Sequence, residues 1–155
     1  MHRTNSDVLA ALDAQMQALL AKINRPHPDF TLAREPRDDG TPYVEVADDT
    51  LIWNRREQGT LLEHLHATPD EVLFLAMSRF TLHYAQQAEM QARDARGYSR
   101  WRWMDAHTRL MAHLNPAWGA RLEERYSHEL TVNPLHANEM GAALVPLDLR
   151  DFGID

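Results

Sequence analysis

No cysteine occurs anywhere in this chain, and lysine occurs once, at Lys22. The first absence excludes disulfide frameworks, thiolate zinc sites and cysteine nucleophiles together, and it suits a reducing compartment. The second excludes a phosphate-binding loop ending in Lys-Ser/Thr, because Lys22 sits inside "LLAKIN" with no glycine-rich run before it. Neither G-x-G-x-x-G nor G-x-S-x-G is present, which removes the dinucleotide-binding turn and the nucleophile elbow. No apolar run approaches the roughly 18 residues that a membrane helix needs. Asp13, Gln15 and Gln17 interrupt the apolar residues where a signal peptide would have its core, so a cytoplasmic protein is expected.

What is present is the composition of one globular domain covering residues 1–155, with 44% hydrophobic and 25% charged residues. The formal charge of -7 weighs against general nucleic-acid binding and favours a basic partner. Val8, Leu12, Met16, Leu19, Leu20 and Ile23 recur at helical spacing behind Asn5 or Ser6 as a cap. Residues 29 to 66 read as a small antiparallel meander. Phe30 to Leu32 form a candidate short strand, "EPRDDGTP" reads as a turn, and "YVEV", "TLIWNR" and "TLLEHLHA" read as strands.

At "ATPDEV" the period changes, with Thr68 as cap, Pro69 at the first helical position and Glu71 three residues after the threonine. The helix that starts there is expected to stop at Gly97. Ser99 is expected to cap a third helix that buries Trp103, His107, Leu110, Met111 and Leu114, and Asn115-Pro116 to begin a fourth with Trp118, Leu122, Tyr126 and Leu130 on one face. Residues 133 to 155 show no period and read as an irregular acidic tail. The fold class is α+β: an N-terminal helix, a small antiparallel meander, then a bundle of three helices.

Few residue constellations carry chemistry. His64 and His66 would share one face of a strand, but no third ligand has recognisable spacing, so an exposed strand face outweighs a metal enzyme built on them. Ser127, His128 and Glu129 are consecutive, and helical neighbours point about 100° apart, which rules out a relay. The pairs Asp38/Asp39, Asp48/Asp49 and Glu123/Glu124 sit where turns and helix surfaces favour acids. They speak against catalysis and for contact with a basic partner. No metal, cofactor or small-molecule substrate is implied.

The exception to the acidic character is "QARDARGYSRWRWM", residues 91–104. Arg93, Arg96, Arg100, Arg102 and Arg109 give residues 88 to 110 a local charge of +2. One reading is a nucleic-acid-binding regulatory segment, with arginines on phosphates and Trp101 or Tyr98 as stacking platforms. The other, which the surrounding acidity favours, is a joint between two helices. There Arg93, Asp94 and Arg96 form bridges across the turn and Trp103 and Tyr98 plug the core beneath.

From about Tyr43 to Asn138 the sequence resembles the immunity protein 63 family, which accompanies bacterial polymorphic toxins. The resemblance is carried by Arg56-Glu57 and Gly59, Thr68 with Asp70 and Glu71, Asp94 and Arg96, Trp101 or Trp103, Leu110-Met111, and Trp118 with Arg121. It implies a non-enzymatic protein that binds the C-terminal domain of a cognate secreted toxin and blocks its active site or substrate path. Many such toxins are nucleases with basic clefts. Asp38, Asp39, Asp48, Asp49, Glu57 and Glu63 are therefore the expected contacts, while Arg93, Asp94, Arg96, Trp103 and Trp118 are expected to build the scaffold.

Overall fold

In the computed structural model, which describes residues 5–48, 50–141 and 145–154, the chain forms four α-helices and one three-stranded sheet. Helix α1 spans Asn5–Lys22, β1 Tyr43–Ala47, β2 Thr50–Glu57, β3 Thr60–Ala67, α2 Pro69–Ala92, α3 Arg100–Leu114 and α4 Pro116–Val132. The α+β order expected from the sequence is the order observed. The side chains of Asn5 and Ser6, the expected caps, lie outside the described residues.

Packing divides the chain into two units. The first holds the chain through Ala21 together with Pro26–Ala76, and the second holds Lys22–Arg25 together with Met77 onward. Helix α2 therefore serves the first unit with its opening turns and the second with the rest.

In the first unit α1 buries Leu9, Leu12, Met16 and Leu20, and the sheet buries Val44, Leu51, Ile52 and Trp53. Strand order is β1-β2-β3, all antiparallel. Both faces of the central strand carry buried residues, with Trp53 on one and Ile52 and Asn54 on the other. Gln58 and Gly59 join β2 to β3 with φ of 50° and 79°, the double positive φ that a tight two-residue hairpin of the right twist requires.

The candidate strand at Phe30 to Leu32 does not form. Only a single bridge, Ala33 to Tyr43, touches β1. Side chains of α1 hold that segment instead: Asp13 accepts from Leu32 N at 2.7 Å and from Arg34 Nη2 at 2.8 Å, and Gln17 Nε2 donates to the carbonyls of Pro28 and Phe30. Backbone groups satisfied by side chains have no need of a ladder.

Helix α2 starts where its signals place it, with Thr68 Oγ1 accepting from Glu71 N at 3.1 Å. It stops at Ala92, five residues before the expected stop at Gly97. Asp94 explains the difference: its carboxylate accepts from Arg96 N at 2.8 Å while Gly97 N bonds the Asp94 carbonyl at 3.0 Å, so a turn replaces the helix. Gly97 takes φ +85° inside that turn.

The core of the second unit is Met77, Ala85, Met104, Ala106, Leu110, Met111, Leu114, Trp118 and Leu122. Asn115 ends α3 through its N–H on the Met111 carbonyl, and it opens α4 by accepting from Ala117 N at 2.9 Å, with Pro116 as the first helical residue. Gly119 lets α4 approach α3 closely, since a Cβ there would lie 2.4 Å from Ala112 Cβ. The tail is ordered over its described residues: Glu139, Leu147, Leu149 and Phe152 are buried, and short 3-10 turns occupy Ala137–Glu139 and Arg150–Phe152.

Candidate functional site

The first unit gathers carboxylates at the tip of the β2–β3 hairpin. Both Asp38 carboxylate oxygens accept from Gly59 N, at 2.9 and 2.8 Å, and the Asp38 carbonyl accepts from Gln58 N at 3.2 Å. Asp39 forms an antiparallel bridge with Glu57. Its carboxylate accepts from Thr41 N at 2.9 Å, and that backbone bond holds the group below the usual carboxylate range. The following glycine is tied as well, with Gly40 N on the Arg56 carbonyl at 2.7 Å and Arg55 Nε on the Gly40 carbonyl at 3.1 Å. The segment 38–40 thus lies clasped against the hairpin, and Asp38, Asp39 and Glu57 all remain exposed.

The other three candidates separate. Asp48 is exposed in the β1–β2 turn with φ 48°. That turn is at the opposite end of β2, about 25 Å away for an eight-residue strand. Asp49 lies outside the described residues. Glu63 is half-buried and engaged, accepting from Arg55 Nη1 at 2.8 Å and from Trp53 Nε1 at 3.5 Å. Clustering at the hairpin tip therefore unites three of the six acids, through the Gly59 N–H on Asp38 and the bridge of Asp39 to Glu57, to neither of which a sequence rule pointed.

His64 and His66 do share a strand face, their ring centroids 6.2 Å apart. His64 Nδ1 lies 2.6 Å from Asn54 Oδ1 on β2. Among the described residues no group of three or more His, Asp or Glu side chains is placed to hold a metal ion.

The arginine-rich segment belongs to the second unit, where each guanidinium meets an acceptor of this chain. Arg93 pairs with Glu89 one turn earlier on α2, Nε to Oε2 at 3.1 Å, and not with Asp94 across the turn. Asp94 and Arg96 form an exposed two-bonded pair, which holds the Asp94 carboxyl down at about 2. Arg100 donates to both Glu139 oxygens and to the carbonyls of Asn133 and Pro134. Arg102 Nε donates to the Val145 carbonyl at 2.8 Å, and Arg109 bonds Asp105 and the Leu147 carbonyl. Three of the five thus strap the tail to α3. Donors already placed on acceptors of the chain would have to be stripped from them to reach phosphates.

The expected bridges and plug are corrected in two respects. Trp103 is half-buried and Tyr98 is 42% exposed, so neither fills the core; Trp103 Nε1 donates to the Tyr98 hydroxyl at 2.9 Å on the rim. Arg102 takes the buried position instead, because the tail carbonyls cover that side of α3. Trp118 is buried as expected. Ser99 occupies the N-cap position but makes no side-chain cap bond; Glu139, forty residues on, accepts from Arg100 N at 3.3 Å and supplies the negative charge that a helix N-terminus favours. Bonding to Arg100 holds the Glu139 carboxyl down at about 2 against the burial that opposes it.

His107 is buried on the face of α3 where its spacing places it, and its hydrogen-bond partners, on two other helices, were not legible from the sequence. His107 is 1% exposed, and its Nε2 lies 3.0 Å from the Ser78 carbonyl, its Nδ1 2.6 Å from the Tyr126 hydroxyl. A carbonyl only accepts, so Nε2 carries the hydrogen and Tyr126 donates to Nδ1. Burial pushes the imidazole down to about 4 and the Tyr126 phenol up to about 12. The ring is a neutral pin joining α2, α3 and α4.

A groove of about 590 Å³ in the same unit is lined by Arg25, Tyr84, Gln87, Gln91, Arg150 and Phe152. Arg25 lies 4.0 Å over the Phe152 ring and donates to the Asp151 carbonyl, while Arg150 is paired with Asp148. Its cations are engaged within the chain.

These features define an α+β chain whose interior polar groups serve the fold and in which three candidate acids, Asp38, Asp39 and Glu57, meet at an exposed hairpin. The sequence profile of the family described as Immunity protein 63 matches residues 48–128, more than half of the chain. The chain belongs to the immunity protein 63 family. The match runs from the β1–β2 turn into α4, and leaves Asp38, Asp39 and the strapped tail outside it. Comparison with curated proteins and with solved structures gives no match.

Proposed function

We propose that this protein is a cytoplasmic immunity protein that binds the toxic domain of a cognate secreted bacterial toxin and occludes its active site or substrate path. Membership of the immunity protein 63 family carries the reading. The formal charge of -7 and the acids at the hairpin tip support a basic partner, and a nuclease is a toxin class with an active cleft of that sign. Asp38, Asp39 and Glu57 are the leading contacts, with Asp48 at the far turn and Glu63 on β3; Asp49 is a candidate from the sequence alone. Carboxylates of this kind would raise the association rate and make it salt-dependent.

The test is co-expression with the toxin domain encoded beside this chain. Growth should be restored, and the two purified proteins should form a stable complex that stops the domain from degrading nucleic acid. Persistent toxicity together with no complex would remove the reading. A neutralised domain that leaves nucleic acid intact would remove the nuclease assignment and keep the rest.

A further inference from the structure

The two edges of the sheet are treated differently. Along β1 the loop before it lends a backbone acceptor, Val44 N bonding the Ala33 carbonyl at 2.8 Å. Along the outer edge of β3, no strand pairs among the described residues. Six of the eight residues of β3 are exposed, and Leu61, Leu62 and Leu65 show 46, 45 and 44% of their surfaces. An edge strand of a monomer is ordinarily guarded by Lys, Pro, short length or a bulge. Strand β3 has neither Lys nor Pro. It has one bulge, where Arg55 pairs with Glu63 and Arg56 with Leu61, leaving Leu62 without a partner on β2. Beyond it, Glu63–Ala67 keeps regular register with β2, and the one charge there, Glu63, is turned to Arg55.

We infer that this edge receives a strand of the toxin domain. Resting on the immunity reading above, the partner adds a fourth strand along Glu63–Ala67 through main-chain hydrogen bonds. Its apolar side chains cover Leu61, Leu62 and Leu65, and its basic residues meet Asp38, Asp39 and Glu57 at the adjoining hairpin tip. A second copy of this chain fits the edge less well. Five residues span about 17 Å on a layer about 10 Å thick, far less than the ~800 Å² per partner of a stable interface. Two chains of charge -7 also gain nothing from the hairpin acids, whereas a basic partner extends the contact onto them.

The experiment is backbone hydrogen exchange on the protein alone and in complex with the toxin domain, with affinity measured for Leu65→Lys and Leu65→Glu. Amides of residues 63–67 should exchange more slowly in the complex. Both variants should bind at least tenfold more weakly while melting within a degree or two of the parent, since Leu65 is exposed. Charge attraction alone would make the Glu variant bind as well or better, and that outcome would overturn the proposal. So would a parent complex with unchanged exchange along β3, which leaves the immunity reading standing with another surface. A parent homodimer abolished by either substitution would assign the edge to a second copy. No complex with the parent would remove the immunity reading and this inference with it.

Discussion

Acidification should weaken the helical unit through His107 in a way that can be isolated. The ring ordinarily takes up a proton near pH 6.5, and burial between α2, α3 and α4 delays this to about 4 in the folded protein. Between those values the unfolded chain binds the proton and the native chain does not, so stability falls as pH falls. The contribution is whole above pH 6.5 and is lost progressively towards pH 4. A gap of about 2.5 pH units at 1.36 kcal/mol each gives about 3 kcal/mol. Protonation would also turn Nδ1 from acceptor to donor against a Tyr126 hydroxyl that is donating to it. Urea unfolding at pH 7, 5.5 and 4.5 for the parent and for His107→Gln measures the effect. Other groups titrate in both proteins and cancel in the difference. The variant should be the less stable at pH 7, and the gap should shrink by about 2 kcal/mol by pH 4.5. Parallel pH profiles, or an imidazole titrating above pH 6 by NMR, would refute the reasoning.

Gly119→Ala should destabilise although alanine is the better helix former by about 1 kcal/mol, because the new Cβ would sit 2.4 Å from Ala112 Cβ and 2.7 Å from its Cα. Thermal melts should show the loss, and Ala112→Gly in the same chain should recover part of it. Glu139→Gln should cost about 2 kcal/mol by weakening the bonds to Arg100, with toxin affinity unchanged in the folded protein. Asp94→Ala should leave the melting temperature nearly unchanged, since both it and Arg96 are almost half exposed; a large drop would show that this turn holds more than its own pair.

Local chemistry announced itself in the sequence where partners are neighbours. Thr68 and Asn115 cap the helices they precede, Trp118 and Leu122 are buried on the face their spacing marks, and the strands alternate with turns that need positive φ. Where the partner is distant, local rules chose wrongly. Ser99 looked like the cap of α3 because the true one, Glu139, is forty residues away. Trp103 looked like core because nothing in its period shows that tail carbonyls would cover Arg102 instead. The candidate acids were named from turn chemistry alone; that Asp38 would reach Gly59 depends on the path of a loop held by Asp13 and Gln17 of α1.

The tail's attachment to α3 has a consequence of its own. Apart from Glu139, what the guanidiniums of Arg100, Arg102 and Arg109 hold in the tail is main chain: the carbonyls of Asn133, Pro134, Val145 and Leu147. Every amino acid carries that oxygen. Replacing Asn133, Pro134 or Val145 would therefore change what the tail displays without cutting its moorings. At those three positions this end of the molecule can be rewritten along a fixed track, whereas a change at one of the three arginines removes that residue's own hold on the track.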